Sequence, residues 1–386
     1  MEPLYLDHAA TTPVRPEVRA AMAPCLDRVF GNPSSLHRWG REAAAALTEA
    51  RATCAEALGA RPSEIHFVRG GTESDNLAVL GRVARLRGDG HTPTVAVSAV
   101  EHRAVLDAAA RATARGAGRL EVLAVAPDGS LDLDALDRAL GSGPAVVSVM
   151  WVNNETGMIL PVEEVAGRAR AAGATFHTDA VQAMRTQLVR VDRMPVDLLT
   201  ATGHKIQGPK GTGLLYVREG VFLSPLLHGG GQERALRPGT EDVAGAVGLA
   251  TALALAAEER QAEADRLRTL RDDLERRLAA SVPGLRVNAG GAPRAPHIAS
   301  VALGGVDGAS LLMALDLEGL AVSGGAACSS GAAAASHVIA ALYGRDDPHA
   351  TVRYSLGATT TAEDIVGAVR ITAAVVERLR ETGAPS

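Results

Sequence analysis

The stretch AVVSVMWVNNETGMILPVEEVAGRARAAGATFHTDAVQ, residues 145–182, contains the alternation that decides the fold. An apolar run at 145–150 precedes a helical pattern at 162–172, and a second apolar run follows at 175–177. The first run is continuously apolar rather than alternating, which is typical of a strand buried on both faces of a parallel sheet. A strand, a crossover helix and a second strand in this order predict a parallel pair with a right-handed connection.

The same alternation extends over the first two-thirds of the chain. Further strand-like runs lie at 65–68, 94–98, 119–125, 198–201 and 213–217. Helical patterns lie between them at 73–87, 103–115 and 133–140. These patterns predict an α/β fold, with a mostly parallel seven-stranded sheet and helices on both faces. In such sheets ligands bind at the carboxyl ends of the strands.

The pattern changes after residue 240. One long helical stretch at 243–280 is rich in Ala and Leu at first and in Arg and Glu later. It is followed by strand-like runs at 285–287, 299–303 and 320–322, and by helical patterns at 309–316, 336–342 and from 362 onward. We therefore expect a large domain at 15–257 and a smaller α+β domain formed by 1–14 and 258–386.

The composition is that of an ordinary soluble globular protein, with 47% apolar and 22% charged residues. A net charge of −5 and an aromatic content of 3% argue against a nucleic-acid-binding surface. The longest apolar run, 244–257, is too short to span a bilayer, and the first residues lack the basic and apolar regions of a signal peptide. Three widely separated cysteines indicate a reducing compartment, so we expect a cytoplasmic protein without a membrane or nucleic-acid partner.

Polar clusters follow four successive predicted strands. They are Glu101-His102, Asn153-Asn154-Glu155, His177-Thr178-Asp179 with Gln182 just beyond, and Thr202-Gly203-His204-Lys205. Any one of them, taken alone, is better explained as a cap or a turn. Four that converge on one edge of a parallel sheet predict a binding or catalytic site. No spacing of His, Cys or carboxylate residues matches a metal motif, so we expect no metal.

The chain has two lysines, Lys205 and Lys210, among 39 basic residues. Biased codon usage explains why lysine is rare, but it does not explain why both lysines lie in the turn at 203–213. Lysine can form a Schiff base, whereas arginine cannot. The sequence Gly70-Gly71-Thr72-Glu73 opens a helix after a strand, which fits a phosphate-binding turn and an ordinary turn about equally well. A strand-end lysine, an upstream Asp and a phosphate turn together favour pyridoxal phosphate as the cofactor.

Cys328 lies in a segment of small residues, SGGAACSSG, at 323–331. Such a segment fits a linker in which the cysteine is simply one more small residue. It also fits a nucleophile on a moving arm, provided that the surroundings stabilise the thiolate. Cys25 and Cys54 fall in apolar helical patterns and are expected to pack in the core.

These motifs resemble those of cysteine desulfurases, which are class V aminotransferases in the fold type I group of pyridoxal-phosphate enzymes. Besides the segment of Cys328, the matching stretches are YLDHAATTP (5–13), FGNPSS (30–35), GGTESDN (70–76), EHRAVL (101–106), VNNETG (152–157), FHTDAVQ (176–182), GHKIQGPKGTG (203–213), HGGGQE (228–233), RPGT (237–240) and VRYSLG (352–357). The resemblance runs from end to end of the chain. It implies the fold of a pyridoxal-phosphate-dependent transferase, with the cofactor in the large domain and the cysteine loop, 323–335, in the small one.

The resemblance also implies a role for each cofactor-binding residue. Lys205 would form the Schiff base, Asp179 would pair with the pyridine nitrogen, and His102 would stack on the ring as a third catalytic residue beside Lys205 and the cysteine. Gln182 would hydrogen-bond the ring hydroxyl, and Asn154 would lie beside both cofactor and substrate. The residues that would hold the phosphate are Gly71, Thr72, Thr202, His204 and, from the neighbouring subunit, Thr240.

The reaction that the resemblance implies begins with L-cysteine. Arg353, helped by Asn154, would bind the carboxylate of this substrate. Cys328 would attack the sulfur of the cysteine–cofactor adduct, so that L-alanine and a persulfide on Cys328 are formed. The long cysteine segment is similar to that of the extended-loop subgroup, which passes sulfur to iron–sulfur scaffold proteins or to tRNA-thiolation enzymes. The usual state of the family is a homodimer.

The chain departs from the family pattern at Gln207, where an aromatic residue is usual, at Pro238, where serine is common, and at 332–335, which is all alanine. The alanine run bears on the choice of sulfur acceptor more than on the chemistry. Two other functions stay open at this point. One is a C–S or C–Se lyase or an aminotransferase in which Cys328 has no role, and the other is a non-enzymatic partner-binding protein that kept the fold.

Overall fold

The computed structural model describes residues 3–324 and 336–383, and Cys328 lies outside this part of the chain. The strands are β1 (Leu4–Tyr5), β2 (Ile65–Val68), β3 (Thr94–Ser98), β4 (Arg119–Leu123), β5 (Ala145–Ser148), β6 (Thr175–Asp179), β7 (Leu198–Thr202), β8 (Gly213–Val217), β9 (Arg286–Val287), β10 (Ile298–Leu303), β11 (Leu320–Ala321) and β12 (Ala350–Ser355). The helices are α1 (Pro16–Met22), α2 (Pro24–Asp27), α3 (Arg38–Leu58), α4 (Gly71–Gly88), α5 (Arg103–Thr113), α6 (Leu133–Leu140), α7 (Val162–Ala171), α8 (Val243–Ser281), α9 (Gly308–Leu317), α10 (His337–Tyr343) and α11 (Ala362–Gly383).

The central sheet has seven strands in the order β2-β8-β7-β6-β5-β3-β4. Strands β7, β6, β5, β3 and β4 run parallel to one another, whereas β8 is antiparallel to both β7 and β2. The prediction of a mostly parallel seven-stranded sheet is confirmed. Because β2 and β7 flank β8, their carboxyl ends meet the amino end of β8, where Val68, Gly213 and Thr202 lie in one row.

Helices cover both faces of this sheet, and the alternation of side chains along the strands shows how. On β3, Val95 and Val97 pack in a cluster with residues of α4 and α5. Ala96 lies between them in the sequence and points to the other face, where it packs in a cluster with residues of α6, α7 and α8. Both faces of β3 are therefore buried, which explains why the centre of the strand, residues 95–97, is continuously apolar.

Two strands, β6 and β7, are longer than predicted, because polar residues continue them beyond their apolar runs. β6 extends beyond the predicted end at 177 to Asp179, and β7 extends beyond 201 to Thr202. Both residues are buried and stay in register with a neighbouring strand, Asp179 with Thr200 and Thr202 with Gly213. β12 has no predicted counterpart, because its centre carries a charged residue, Arg353, that an apolar pattern does not reveal.

A second core surrounds a small antiparallel sheet with the strand order β12-β10-β9. Helix α8 contributes to both cores, through Leu249 and Leu253 to the larger one and through Leu267 and Leu274 to the smaller one. Helix α10 follows residue 258 in the sequence, yet its Val338 packs in the larger core. The division of the chain at residue 257 stays a prediction.

The second half of α8 carries ion pairs within the helix, such as Arg268 with Asp265 and Arg277 with Asp273. This is the solvated, charged face that its Arg- and Glu-rich sequence predicts. Within residues 3–324 and 336–383, no helix combines the length and the apolar character that are needed to cross a membrane.

Candidate active site

The polar clusters predicted from the sequence meet at the carboxyl edge of the central sheet. β3, β5, β6 and β7 are parallel, so the segments that follow them leave the same edge. Asp179 is the last residue of β6, and the segments after β3, β5 and β7 carry His102, Asn154 and Lys205. His102 and Lys205 lie close enough to Asp179 for their charges to act on its carboxyl group. The structure therefore brings residues from different strand ends into one site.

A glycine turn at the start of α4 forms a potential anion site beside β8. Gly70 has φ 129° and ψ −177°, a backbone conformation that residues with a side chain avoid. A Cβ on Gly213 would lie 2.9 Å from the Gly70 Cα, and a Cβ on Gly71 would lie 3.2 Å from the Val181 side chain. The start of the helix is thus packed against β8 and against the segment that follows Asp179. Its first N–H groups have no partner within the helix, so they can bind an anion.

The three threonines expected at the phosphate lie in different settings. Thr202 is buried, and its hydroxyl donates to the Thr212 carbonyl at 3.0 Å. Thr72 is in the first turn of α4, and its side chain has no hydrogen bond to a described residue, so its hydroxyl is available to a ligand. Thr240 is exposed, and its role at the phosphate of a neighbouring subunit stays a prediction.

Lys205 lies against the N-terminal stretch of the chain. The turn Gly203–Lys205 follows β7 directly, and the Lys205 Nζ donates to the carbonyls of Ala9 at 2.7 Å and Ala10 at 2.6 Å. Thr12 connects this N-terminal stretch to the turn Gly203–Lys205, because its N–H and its hydroxyl both donate to the His204 carbonyl. The amine is partly buried at the edge of the sheet.

His204 is a neutral imidazole next to both lysines of the chain. Its Nδ1 lies 3.2 Å from the Thr11 hydroxyl. Burial lowers the pKa of His204 to about 4, and the positive charges of Lys205 and Lys210 act in the same direction. Lys210 is exposed, and its charge reaches the imidazole of His204.

Asp179 supplies a buried carboxyl group at the end of β6. One oxygen accepts a hydrogen bond from the Val181 N–H at 2.9 Å, and no described residue donates to the other. Burial raises the pKa of Asp179, whereas the charges of His102 and Lys205 oppose this rise. The second oxygen can therefore accept a hydrogen bond from an N–H or O–H group of a ligand.

His102 caps helix α5 with its ring. Its Nδ1 accepts a hydrogen bond from the Ala104 N–H at 3.1 Å, so the neutral ring carries its proton on Nε2. Burial lowers the pKa of His102, Asp179 opposes this effect, and the charge of Lys205 adds to it. The cap fixes the orientation of a neutral imidazole beside Asp179.

Behind Asp179 lies a series of hydrogen bonds in which each donor and acceptor can be assigned. The Leu214 carbonyl can only accept, so the Ser74 hydroxyl donates to it at 3.0 Å and accepts from Thr200 at 2.9 Å. Thr200 in turn accepts from the His177 Nε2 at 3.0 Å, and the His177 Nδ1 accepts from Ser148 at 2.8 Å. His177 is thus neutral with its proton on Nε2. Burial, which lowers its pKa to about 3, agrees with this assignment.

Asp75 lies beside this series of hydrogen bonds and has no charged partner among the described residues. The side chain is buried, and its Oδ1 accepts no hydrogen bond from a described residue and lies 3.7 Å from the His177 Nε2. Burial raises the pKa of Asp75 well above its ordinary value, and the charge of Asp179 acts in the same direction. The raised pKa of Asp75 favours its protonated form, and a proton on Asp75 removes a negative charge that would oppose the ionisation of Asp179.

Gln182 links the Lys205 region to the smaller core. Its Nε2 donates to the Ala9 carbonyl at 2.9 Å, and its Oε1 accepts from the His297 Nε2 at 3.3 Å. The expected hydrogen bond from Gln182 to a ring hydroxyl stays a prediction.

Strand β12 places Arg353 at the same site. Arg353 is 1% exposed; its Nη1 donates to the Asn154 carbonyl at 2.8 Å and its Nη2 to the Asp7 Oδ1 at 2.7 Å. The Nε of Arg353 and the side-chain amide of Asn154 have no hydrogen-bond partner among the described residues. Both can therefore bind a ligand carboxylate.

The described residues on either side of 325–335 contact this site. The backbone of Ser323 pairs with that of Arg353. Ser336 caps α10 and donates to the Glu155 carboxyl group, and the His337 Nε2 donates to the Glu101 carbonyl at 2.9 Å. Cys328 lies outside the described residues, so its role stays a prediction.

Sequence reasoning missed several polar residues of the site. His297 had no signal, because its partner Gln182 is 115 residues away along the chain. Asp7 was present in the motif YLDHAATTP, but nothing in that pattern indicates its pairing with Arg353, which is 346 residues away. Asp75 was present in the motif GGTESDN, but nothing in that pattern indicates that its side chain points into the protein.

Comparison with known proteins agrees with this arrangement. Residues 4–366 match the family Aminotransferase class-V. The cysteine desulfurase IscS of Dictyoglomus turgidum is 42% identical over 378 residues, which cover 98% of this chain and 95% of that protein. A solved NifS-like protein superimposes with a TM-score of 0.89 at 32% identity, covering 98% of this chain and all of that one. SspA, solved in complex with cysteine, gives a TM-score of 0.78 at 32% identity and covers 92% of this chain and 98% of its own.

The family match extends over nearly the whole chain, and the relatives share both the fold and the length. The chain belongs to the class-V aminotransferase family and, within it, to the cysteine desulfurases.

Proposed function

We propose that this protein is a pyridoxal-phosphate-dependent enzyme that converts L-cysteine to L-alanine and transfers the sulfur to Cys328 as a persulfide. One observation carries the proposal: Lys205, the carboxylate of Asp179 and the anion-binding start of α4 meet at one edge of the sheet. The names of the relatives support the activity, and the cysteine complex of SspA supports the substrate.

The described residues fit pyridoxal phosphate. The start of α4 suits its phosphate, the open oxygen of Asp179 suits a protonated ring nitrogen, and the amine of Lys205 suits its aldehyde. When bound, this cofactor supplies an electron-withdrawing ring that weakens the bonds at the Cα and Cβ of an amino acid. The neutral acid of Asp75 favours an ionised Asp179, because two buried charges of the same sign are avoided.

Arg353 is the residue that we propose for the substrate carboxylate. The guanidinium has a buried Nε without a partner, and a planar fork of this kind matches a carboxylate. Asp7 neutralises the charge of Arg353 while the site is empty of substrate and keeps the side chain in place. The side-chain amide of Asn154 can donate a further hydrogen bond to the same carboxylate.

Sulfur transfer to Cys328 is the second half of the proposed reaction. The thiolate forms an S–S bond with the sulfur of the substrate as the C–S bond of the substrate breaks. The bonding electron pair stays on the carbon, which takes a proton and becomes the methyl group of alanine. Cys328 lies five residues after Ser323, whose backbone pairs with Arg353, and five residues can span at most ~18 Å. This tether supports the reach of the thiol to the substrate.

A product assay with L-cysteine tests the proposal. Protein loaded with pyridoxal phosphate is expected to release alanine and sulfide in equal amounts when a thiol reductant is present. Lys205→Arg is expected to lack lysine-bound cofactor and to form no alanine, because arginine cannot form a Schiff base. Cys328→Ala is expected to keep the cofactor but to form no persulfide, whereas the control Cys25→Ala stays active.

Other outcomes of this assay contradict the proposal. Release of pyruvate instead of alanine would indicate a C–S lyase, and exchange with a keto acid would indicate an aminotransferase. Protein that takes up no cofactor would indicate a non-enzymatic role. Alanine formation by Cys328→Ala would refute the role of that cysteine.

A homodimer is part of the proposal, with Thr240 completing the phosphate site of the other subunit. Large apolar side chains are exposed in one short stretch, at Leu26, Phe30, Leu36 and Trp39, which is typical of a surface that another chain covers. Light scattering is expected to give the mass of a dimer. Leu36→Asp should weaken the dimer, whereas the same change at another exposed residue, Val122→Asp, should leave it intact.

We also propose that the persulfide is passed in the cytoplasm to an acceptor protein of iron–sulfur cluster assembly or of tRNA thiolation. The support is the name IscS of the relative and the three cysteines, of which Cys25 and Cys54 are free thiols. Trapping acceptors as mixed disulfides with Cys328 tests this part. Capture of the same proteins by Cys328→Ala would contradict it.

A further inference from the structure

A buried histidine outside the predicted site lies behind Gln182. His297 is 3% exposed and immediately precedes β10 in the smaller core. Its Nε2 lies 3.3 Å from the Gln182 Oε1, and the Gln182 Nε2 donates to the Ala9 carbonyl at 2.9 Å. The same carbonyl accepts a hydrogen bond from the Lys205 Nζ at 2.7 Å. A continuous series of contacts therefore joins His297 to the amine of Lys205.

The direction of each hydrogen bond in this series is determined. The Ala9 carbonyl can only accept, so the NH₂ group of Gln182 faces it, and a flipped amide would oppose two oxygens at this distance. The Gln182 Oε1 can also only accept, so the His297 Nε2 carries the proton that it donates. The other ring nitrogen, Nδ1, lies 3.5 Å from the Thr186 hydroxyl and is left to accept from it.

The surroundings of His297 favour a neutral ring. Burial lowers the pKa of His297 to about 3, and the positive charges of Arg185, Arg271 and Arg353 act in the same direction. A neutral imidazole has one proton, and the contacts place it on Nε2. This tautomer is the one that holds the Gln182 amide in the observed orientation.

We propose that His297 is a positioning residue that acts through Gln182: it holds the oxygen of the amide and so keeps the NH₂ group directed to the Ala9 carbonyl and to the cofactor-binding side. The inference rests on the proposed function, because it gives Gln182 its donor role towards the ring hydroxyl of pyridoxal phosphate. Without His297, only the Ala9 carbonyl opposes rotation of the amide, so the orientation that presents the amide oxygen to that hydroxyl becomes more populated. An acceptor in that position disfavours the ionised form of the hydroxyl.

The test is a double-mutant cycle read by the visible absorption of the bound cofactor as a function of pH. Gln182→Ala is expected to shift the midpoint of the colour change, because it removes the donor. His297→Leu is expected to shift the midpoint in the same direction by a smaller amount, and to add no shift in a Gln182→Ala background. His297→Gln keeps an N–H donor, so its midpoint is expected to lie closer to that of the wild type than the midpoint of His297→Leu does.

His66 is a matched control for the loss of a buried histidine. It is 7% exposed, burial lowers its pKa to about 4 as well, and its ring contacts the Glu233 carbonyl rather than Gln182. His66→Leu is expected to leave the midpoint unchanged. The inference is overturned if His297→Leu leaves the midpoint unchanged while Gln182→Ala shifts it, or if the two shifts add in the double variant.

A second measurement does not depend on the cofactor, so it separates this inference from the proposed function. NMR of the imidazole nitrogens in the cofactor-free protein is expected to show His297 with a protonated Nε2 and a bare Nδ1. Protonation of Nδ1 instead would overturn the inference even if the protein binds pyridoxal phosphate. Wild-type protein that stays colourless with added cofactor would overturn the proposed function, and the NMR result would still decide the role of His297.

Discussion

Replacing Glu101 by Gln is expected to change the pH dependence of stability. Glu101 is fully buried next to His102; its Oε1 accepts from the Ser98 hydroxyl at 2.5 Å and from the Met150 N–H at 2.7 Å. Its Oε2 has no hydrogen-bond partner among the described residues. Burial raises the pKa of Glu101 from 4.5 to about 8, the charge of Asp179 adds to this rise, and the two hydrogen bonds oppose it.

The sign of the effect follows from the two pKa values. Between pH 4.5 and about pH 8 the folded protein holds a proton on Glu101 that the unfolded chain has released. The stabilising contribution is thus complete below the unfolded pKa and is lost as the pH rises towards the folded one. From about pH 5.5 to about pH 7.5, the free energy of unfolding of the wild type should fall by about 3 kcal/mol on account of this residue.

Glutamine has the shape of the protonated acid but no titrating proton. Urea unfolding of both proteins, each saturated with the same cofactor, gives the free energies of unfolding at each pH. The difference, Glu101→Gln minus wild type, is expected to increase with pH by about 3 kcal/mol over this window. Because all other groups are common to both proteins, a difference that stays constant with pH would refute a neutral Glu101.

Three further changes give separate tests. Asp7→Asn is expected to lower the free energy of unfolding by about 2 kcal/mol, because it leaves the buried charge of Arg353 without its counter-ion; an unchanged urea midpoint would contradict this. Gly70→Ala is expected to cost about 1–3 kcal/mol and to weaken cofactor binding, because of its positive φ; Gly88→Ala, at the end of the same helix with open space around it, should do neither. Asp75→Asn is expected to change the free energy of unfolding by no more than ~1 kcal/mol at neutral pH, since a neutral acid is replaced by a neutral amide; a larger change would indicate an ionised Asp75.

The sequence predicts the central sheet and its functional edge because both depend on local patterns. Continuous apolar runs indicate buried parallel strands, and the residue that follows such a strand has a known place in the fold. This is why Lys205, Asp179 and His102 were expected at one edge and lie there. The resemblance to a family added the roles of single residues, which the patterns do not contain.

The contacts that hold the site together depend on tertiary packing. The pairing of Arg353 with Asp7 and that of Gln182 with His297 each join distant parts of the chain, and no short-range pattern records them. The protonation states of Asp75 and Glu101 depend on burial and on neighbouring charges. These features follow from the three-dimensional structure alone.

The most direct test of the central claim is a single-turnover reaction with L-cysteine in the absence of a reductant. Mass spectrometry of the digested protein then locates the transferred sulfur, and amino-acid analysis measures the alanine. We expect a gain of one sulfur atom on the peptide that carries Cys328, together with an equal amount of alanine. Alanine without added sulfur on that peptide, or added sulfur on Cys25 or Cys54 instead, would contradict it.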